Sequence, residues 1–243
     1  MEQKEFLEIF GNLCKLNGID DVSEEAANRL YRLSGCLLEA NKVHNLTAIK
    51  DEKGVILKHL IDSLMICPYV PDGARVIDVG CGAGFPSLPL AIARPDVRVL
   101  GVDSTSKKIN YVNETAASLE LPNISAISAR AEELGHSDVY RESFDLATAR
   151  AVASLPVLCE LCLPFVKVGG AFVAMKAQNP EDEISASLGA IAKCGGELYK
   201  TVYKELCSDT GESEKRCLII IKKVKQTPLA YPRSYSKIAK KPL

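Results

Sequence analysis

The sequence lacks the long apolar runs and the unusual composition that mark membrane, fibrous or disordered proteins. None of its apolar runs approaches the roughly 18 residues that a membrane-spanning helix needs. The opening Met-Glu-Gln-Lys-Glu carries acids and leads into no apolar core of a secretory signal. With 47% hydrophobic and 25% charged residues, the 243-residue chain has ordinary globular usage. We therefore expect a monomeric cytoplasmic protein without membrane association, built as one main domain with a modest extension.

The cysteines lack the spacing of a disulfide framework or of a zinc site. There are nine of them, scattered from Cys14 to Cys217. In a chain without an export signal we interpret them as free, mostly buried thiols. Cys159 and Cys162 form a C-x-x-C pair in an apolar helix, but no second pair accompanies it. Core packing is therefore favoured over zinc binding, and we expect no metal.

The net charge of −1 conceals an asymmetry between the body of the chain and its end. The segment 222–243 holds seven basic residues and no acidic one, so the preceding 221 residues carry 23 basic against 31 acidic side chains. Such a basic tail suits a phosphate backbone, although a solvated, partly disordered terminus fits the same pattern. Tyr231, Pro232, Tyr235 and Ile238 interleave with the cations. Contact of this tail with a base or a phosphate therefore stays open at this point.

The hydrophobic pattern predicts an α/β fold preceded by a helical extension. Residues 1–70 have helical periodicity over 2–17, 23–40 and 52–67. The α/β domain is predicted over 71–225, and the basic tail over 226–243. Predicted strands alternate with predicted helices and indicate a parallel sheet covered on both faces. The strands are 75–79, 97–102, 124–128, 144–149 and 171–175, and the helices are 86–94, 105–119, 155–163 and 180–194.

The last two predicted strands must pair differently from the others. The runs 197–206 and 216–222 are joined by Ser208-Asp209-Thr210-Gly211, which is too short for a crossover helix. These two strands must therefore form a hairpin. The sheet should then have seven strands, mostly parallel, with an antiparallel C-terminal hairpin.

A glycine loop follows the first predicted strand and indicates a nucleotide-like ligand. Gly80, Gly82 and Gly84 let the backbone approach a ligand closely, and the loop continues into a helix at Pro86. The dinucleotide fingerprint G-x-G-x-x-G requires a third glycine where Phe85 stands. The pattern Gly-x-Gly-x-Gly instead resembles the first motif of class I methyltransferases, which bind S-adenosylmethionine.

The ends of the next two strands add further ligand contacts. Asp103 ends the second strand, where a carboxylate can accept hydrogen bonds from both ribose hydroxyls or cap the next helix, or do both. Ala131 and Glu132 follow the third strand, and in methyltransferases the turn after this strand lies beside the adenine of the cofactor. Taken alone, they are more typical of the first turn of a helix, and their value lies in following the strand where a third ligand contact is required.

Together these motifs resemble one family over nearly the whole chain: bacterial RsmG, also called GidB, the small-subunit rRNA guanine-N7 methyltransferases. The matching segments, in chain order, are 45–47, 59–64, 78–86, 88–91, 103–104, 130–133, 150–151, 175–176, 180–184, 231–233 and 240–243. Two positions depart from the family pattern. Ser87 stands where glycine is frequent, and Ala177 follows Lys176 where Lys-Gly is usual.

The resemblance implies a class I, Rossmann-like fold, S-adenosylmethionine as cofactor, and 16S rRNA or the 30S subunit as partner. The residues it assigns to the cofactor are the loop residues Gly80, Gly82, Gly84 and Phe85, Asp103 and Ser104 at the ribose, Ala131 and Glu132 at the adenine, and Arg150 at the methionine end.

The expected chemistry needs alignment more than proton transfer. Guanine N7 presents an in-plane lone pair, so no general base is required, and orientation and desolvation supply the catalysis. Arg150 and Lys176 end the fourth and fifth strands, and we expect them as catalytic-site residues that engage phosphate or guanine O6. A structural ion pair is the alternative for each. His44 and His59 are interpreted as capping or core residues.

Three other functions compete with rRNA methylation. A small-molecule methyltransferase would share the cofactor, but the basic tail and the N-terminal match argue against it. An NAD-dependent dehydrogenase is disfavoured by Phe85 at the third glycine position. A non-enzymatic RNA-binding module would have no need of an intact cofactor loop.

Overall fold

The computed structural model describes residues 1–177 and 180–243, and it confirms the predicted α/β architecture. Seven strands form one sheet in the order β3-β2-β1-β4-β5-β7-β6. Their bounds are β1 Arg75–Val79, β2 Arg98–Asp103, β3 Ile124–Ser128, β4 Phe144–Arg150, β5 Val166–Lys176, β6 Gly196–Cys207 and β7 Ser213–Lys223. The first five strands pair in parallel, whereas β7 runs antiparallel to both β5 and β6, so the predicted hairpin is confirmed.

Helices cover both faces of the sheet, as the alternating pattern requires. Their bounds are α1 Gln3–Leu16, α2 Glu24–His44, α3 Glu52–Val55, α4 Asp62–Leu64, α5 Ser87–Ala93, α6 Ser106–Ser118, α7 Ala131–Leu134, α8 Leu155–Cys162, α9 Glu181–Lys193 and α10 Tyr235–Lys240. The N-terminal helices with α5 and α6 pack on one face, and α8, α9 and α10 pack on the other. The N-terminal extension therefore shares its apolar core with the sheet.

The predicted third helix differs from a regular α-helix in its centre. The segment Ile56–Ile61 between α3 and α4 has π-helical hydrogen bonding. Such π-bulges occur frequently at functional sites. His59 lies in this segment.

The C-terminal residues 226–243 pack against the sheet domain. Arg141 donates to the carbonyl oxygens of Gly135, Thr227, Pro228 and Tyr231 at 2.6–3.1 Å. Ile238 of α10 is fully buried on the face that α8 covers. The tail is thus part of the folded body of the protein.

Two of the seven basic residues in 222–243 are already neutralised inside the protein. Lys223 is buried and pairs with Glu142 at 2.9 Å. Arg233 pairs with the fully buried Glu160 at 2.7 Å. The charge that the tail can offer to an outside partner is therefore smaller than the count of basic residues indicates.

Candidate functional site

The glycine loop has the conformation that its sequence predicts. Gly80, Gly82 and Gly84 have φ of +75°, +56° and +86°, in the left-handed region that favours glycine. A Cβ atom on Gly80 would stand 2.5 Å from Val152 Cγ2, and one on Gly84 would stand 2.5 Å from Leu88 Cδ1. Open space surrounds the corresponding position of Gly82. Two glycines thus allow close packing, and the middle one leaves room beside the loop.

Asp103 at the end of β2 holds the loop from the neighbouring strand. Its Oδ2 accepts a hydrogen bond from the Gly82 amide at 3.1 Å, and its Oδ1 accepts one from the Thr105 amide at 2.8 Å. The carboxylate therefore organises both the glycine loop and the start of α6. Each carboxylate oxygen can still accept another hydrogen bond, so these contacts are compatible with a ligand at the same group.

A cleft of about 270 Å³ lies beside the glycine loop. We call it the cofactor cleft. Five of the residues expected at the cofactor line it: Gly80, Gly82, Phe85, Asp103 and Arg150. It is also lined by residues that the sequence analysis did not assign to the cofactor, among them Thr47, His59 and Lys108.

The remaining expected cofactor residues lie outside that cleft. Gly84 packs under Leu88, and Ser104 is exposed beside Asp103. Ala131 and Glu132 form the first turn of α7 and are half-buried. The structure therefore brings together the loop, ribose and methionine residues of the predicted site, and leaves the predicted adenine residues at the adjoining end of β3.

A larger cavity of about 720 Å³ adjoins the cofactor cleft. We call it the β7 cavity, because Arg216, Cys217 and Leu218 of β7 form one of its walls. The two cavities share His59 and the segment Arg150–Val152 as lining. A molecule in one cavity therefore meets a molecule in the other across the carboxyl end of β4.

Arg150 is held in place by the N-terminal helical segment. Its Nη1 donates to the Asp62 carboxylate at 2.7 Å and to the Lys58 carbonyl oxygen at 2.9 Å. Its Nη2 donates to His59 Nδ1 at 3.2 Å. Arg216 Nε donates to the other Asp62 oxygen at 2.7 Å. One buried carboxylate thus orients two arginines at the rim of the β7 cavity.

His59 is stacked between the glycine loop and this ion-pair cluster. Its ring lies 4.7 Å from the Phe85 ring, and its Nε2 is 2.8 Å from Thr47 Oγ1. Burial, together with the positive charge of Arg150, lowers the pKa of His59 to about 4. The imidazole is therefore neutral at physiological pH.

Lys176 also lines the β7 cavity and makes an internal ion pair. Its Nζ is 2.9 Å from Glu183 Oε1 and donates to the Ala153 carbonyl oxygen at 3.0 Å. The same Glu183 oxygen accepts from the Leu155 amide at 2.7 Å, at the start of α8. Lys176 thus fixes the loop that follows Arg150.

Asp78 lies beneath the glycine loop on β1 and is fully buried. The Ser87 hydroxyl donates to its Oδ2, while its Oδ1 has no hydrogen-bond partner among the described residues. Burial raises the pKa of Asp78 to about 6. Ser87, which departs from the family pattern, therefore gives this carboxyl group a hydrogen-bond partner.

Comparison with known proteins assigns this arrangement to a family. The family model GidB, described as rRNA small subunit methyltransferase G, matches residues 26–208. The chain belongs to the GidB family. It is similar to the ribosomal RNA small subunit methyltransferase G of Acetivibrio thermocellus, with 45% identity over 92% of this chain and 91% of the relative. The corresponding protein of Clostridium kluyveri is 38% identical over 98% of this chain and 99% of its own. The predicted family is confirmed.

Solved structures support the fold that goes with this family. A SAM-dependent methyltransferase from Methanosarcina mazei superposes with a TM-score of 0.51 at 20% identity, covering 67% of this chain and 98% of that chain. The likeness concerns the fold, and it confirms the expected class I, Rossmann-like architecture. None of the helices in the described part of this GidB chain is long and apolar enough to cross a membrane.

The GidB site contains functional candidates that sequence reasoning did not identify. Thr47, Asp62 and Arg216 were part of matching motifs or of a strand pattern, without a role, and His59 was interpreted as a capping or core residue. A usable signal existed in the third helix. His59 and Asp62 are polar residues three positions apart, next to the apolar Leu60 and Ile61.

Proposed function

We propose that the protein transfers a methyl group from S-adenosylmethionine to N7 of a guanosine in 16S rRNA. The observation that carries this proposal is the pair of adjoining cavities at the carboxyl edge of the parallel strands, which share Arg150–Val152 as a wall. This edge is where open α/β sheets bind their ligands. One cavity fits the cofactor, and the other fits a base extruded from the RNA.

The cofactor cleft has the donor and acceptor groups that S-adenosylmethionine requires. Asp103 supplies a carboxylate for the ribose hydroxyls, and Gly82 leaves open space beside the loop. Ala131 and Glu132 would flank the adenine from α7, next to the end of β3. When bound, this cofactor supplies an electrophilic methyl carbon on a sulfonium centre.

The β7 cavity has apolar walls and a charged rim, which suits a nucleobase. Met65, Met175 and Leu218 offer apolar surface for a flat ring. Arg150, Lys176 and Arg216 bring donors to the rim, and guanine presents O6 as an acceptor beside N7. Asp62 and Glu183 contribute negative charge. Both carboxylates are paired, Asp62 with Arg150 and Arg216, and Glu183 with Lys176, so the cavity has no net negative field and catalysis rests on alignment of the base.

The state of His59 agrees with a reaction that needs no general base. A guanidinium group can only donate hydrogen bonds, so the lone pair of His59 Nδ1 accepts the hydrogen bond from Arg150. The imidazole is thereby unavailable as a proton acceptor on that side. N7 attack requires alignment and exclusion of water, and a rigid, fully hydrogen-bonded wall provides both.

Arg150 and Lys176 take different parts in this proposal. The contacts of Arg150 within the described residues use three of its five N–H groups, which leaves two for O6 or a phosphate. Lys176 acts as a positioning residue, because it joins Glu183 to the Ala153 carbonyl oxygen. The exposed Lys237, Lys240 and Lys241 at the C-terminal end would add attraction for rRNA phosphates.

A methylation assay tests this proposal. Methyl-labelled S-adenosylmethionine is incubated with the protein and with either 30S subunits or protein-free 16S RNA, both from a bacterium that lacks the enzyme. Label in 7-methylguanosine at one position is expected, and label in another nucleoside would refute the N7 assignment. Label in a metabolite, with none in RNA, would support a small-molecule methyltransferase.

Variants connect the assay to the site. Arg150→Ala should lower the methylation rate at least tenfold, since orientation of a reactant contributes that much or more. Arg29→Ala, which removes an arginine from the surface of α2, serves as the matched control and should methylate at the wild-type rate. Equal rates for the two variants would remove Arg150 from the proposal.

A further inference from the structure

Thr47 occupies a fixed position on the wall of the cofactor cleft. The carboxamide of Asn41, on α2, clamps its backbone: Oδ1 accepts from the Thr47 amide at 2.9 Å, and Nδ2 donates to the Thr47 carbonyl oxygen at 3.0 Å. Asn41 itself is buried. Thr47 lies outside the helices and strands, yet both polar groups of its backbone are hydrogen-bonded to one buried side chain.

The neighbours of Thr47 determine what its hydroxyl group can still do. The Ile49 amide donates to Thr47 Oγ1 at 3.1 Å. Arg150 Nη2 cannot accept, so His59 Nδ1 must be the acceptor of their hydrogen bond. In the neutral ring the proton is then on Nε2, which donates to Thr47 Oγ1 at 2.8 Å.

This tautomer leaves the Thr47 hydroxyl with one remaining capacity. A hydroxyl oxygen has two lone pairs, and the Ile49 amide and His59 occupy both. Its own proton stays available in a residue that lines the cofactor cleft. The group is therefore a donor and no longer an acceptor.

The chemistry of the cofactor then selects a partner for this donor. Asp103 marks the ribose end of the cleft, while His59 and Arg150 mark the opposite end, against the β7 cavity. At the methionine end of S-adenosylmethionine, the ammonium and sulfonium groups accept no hydrogen bond. The carboxylate is the strong acceptor there.

We propose that the Thr47 hydroxyl donates a hydrogen bond to the methionine carboxylate of the cofactor, with His59 as the positioning residue that fixes its direction. This inference rests on the proposed function, since it requires S-adenosylmethionine in the cleft. It gives the Asn45-Leu-Thr47 segment a role in cofactor recognition. The N-terminal extension thereby becomes part of the cofactor site.

The test compares two ligands and two substitutions by isothermal titration calorimetry on the full chain. Thr47→Val keeps the shape and removes the hydroxyl, whereas Thr47→Ser keeps the hydroxyl. For S-adenosylmethionine, Thr47→Val should raise Kd about tenfold or more, because hydrogen bonds to charged groups contribute that much. Thr47→Ser should stay close to wild type.

Decarboxylated S-adenosylmethionine supplies the decisive comparison. It lacks the carboxylate, so Thr47→Val should bind it with the wild-type Kd, by direct titration or by competition. An equal loss for both ligands would show a merely structural effect and overturn the inference, as would an unchanged Kd for S-adenosylmethionine. A wild-type protein that binds no S-adenosylmethionine would refute the proposed function itself.

His59→Ala provides an independent readout. Without the imidazole, the Thr47 hydroxyl proton can turn toward the vacated position, so the preference for S-adenosylmethionine over its decarboxylated form should fall as it does in Thr47→Val. A His59→Ala protein that keeps the full preference would contradict the positioning role. Circular dichroism of both variants verifies that they are folded.

Discussion

The Arg150 guanidinium donates to Asp62 Oδ2 at 2.7 Å and joins two residues 88 positions apart. Asp62 lies on α4, in front of the first strand, and Arg150 ends β4. Because Arg216 of β7 binds the other oxygen of the same carboxylate, three distant segments meet at one group. The helical extension is thus structurally inseparable from the edge of the sheet where ligands bind.

Asp62→Asn should destabilise the protein strongly. Asp62, Arg150 and Arg216 have only 10–14% of their side chains exposed, so removing the shared negative charge leaves Arg150 without a carboxylate partner and Arg216 with the more exposed Glu214 alone. We expect a loss of about 3 kcal/mol in the free energy of unfolding, measured by urea denaturation. The control Asp209→Asn breaks an exposed pair with Lys53 and should cost under about 1 kcal/mol. Similar losses in both variants would contradict the cluster's importance.

Gly80→Ala should destabilise the glycine loop through Val152. The added Cβ atom would stand 2.5 Å from Val152 Cγ2, in addition to the strain of a φ of +75°. Gly73→Ala is matched in φ, at +64°, but meets no atom within 4 Å. Gly73→Ala should cost about 1 kcal/mol, and Gly80→Ala should cost more.

Val152→Ala in the Gly80→Ala background checks that mechanism. Removing the two methyl groups should recover part of the difference between Gly80→Ala and Gly73→Ala in urea denaturation. Additive effects of the two substitutions would mean that the loss has another origin.

Asp78→Asn should stabilise the protein, and more so at alkaline pH. Burial raises the pKa of Asp78 from its ordinary value of 3.8 to about 6, so the native state holds the proton more tightly than the unfolded state. The stability that this protonated carboxyl group provides is complete below pH 3.8 and is lost as the pH rises through 6. At pH 8 the ionised Asp78 therefore lowers the free energy of unfolding of the wild-type protein, and the Asp78→Asn variant does not have this loss.

Urea denaturation at pH 8 and pH 5 measures this effect. The advantage of Asp78→Asn should be on the order of 2 kcal/mol at pH 8 and roughly 1 kcal/mol smaller at pH 5. The exposed Asp138→Asn is the control and should differ from wild type by the same small amount at both pH values. An advantage that grows toward pH 5 would show that the sign is wrong.

Lys223→Met should destabilise the sheet, although its neighbour tolerates the same change. The buried Lys223 donates to the carbonyl oxygens of Leu163 and Val166 and pairs with Glu142. Its loss takes one donor from each of three acceptors and leaves Glu142 without its cation, although Glu142 keeps the Thr227 amide and Leu163 keeps the Val166 amide. We expect about 3 kcal/mol less stability in thermal or urea unfolding. The exposed Lys222→Met loses only a contact with the Tyr199 ring and should cost under about 1 kcal/mol. Equal costs would refute this assignment.

The sequence by itself determined the regular elements and the position of the glycine loop. The alternation of apolar runs, glycines and polar turns is a local property of the sequence. Strands β1 and β3 therefore begin and end at the predicted residues. The predicted hairpin follows from a connection too short for any other path. Gly80 and Asp103 were predicted at the cleft because the carboxyl ends of parallel strands share one edge, whereas Phe85 was implied by the family resemblance.

Only the tertiary structure decided which charges face each other. Local patterns identified Arg150 and Lys176 as candidates but not their partners: Asp62 lies 88 positions before Arg150, and Glu183 lies on the helix that follows Lys176. His59 lies in the π-helical segment, stacks on Phe85 and lies 2.8 Å from Thr47 Oγ1, and the periodicity of the third predicted helix did not indicate these contacts. In the sequence, every basic residue of the tail is a candidate for binding an outside partner. The fold places Glu142 beside Lys223 and Glu160 beside Arg233, so these two cations are already paired. Ion pairs and hydrogen bonds depend on distances of a few ångström between segments far apart in sequence, and those distances exist only after the core has packed.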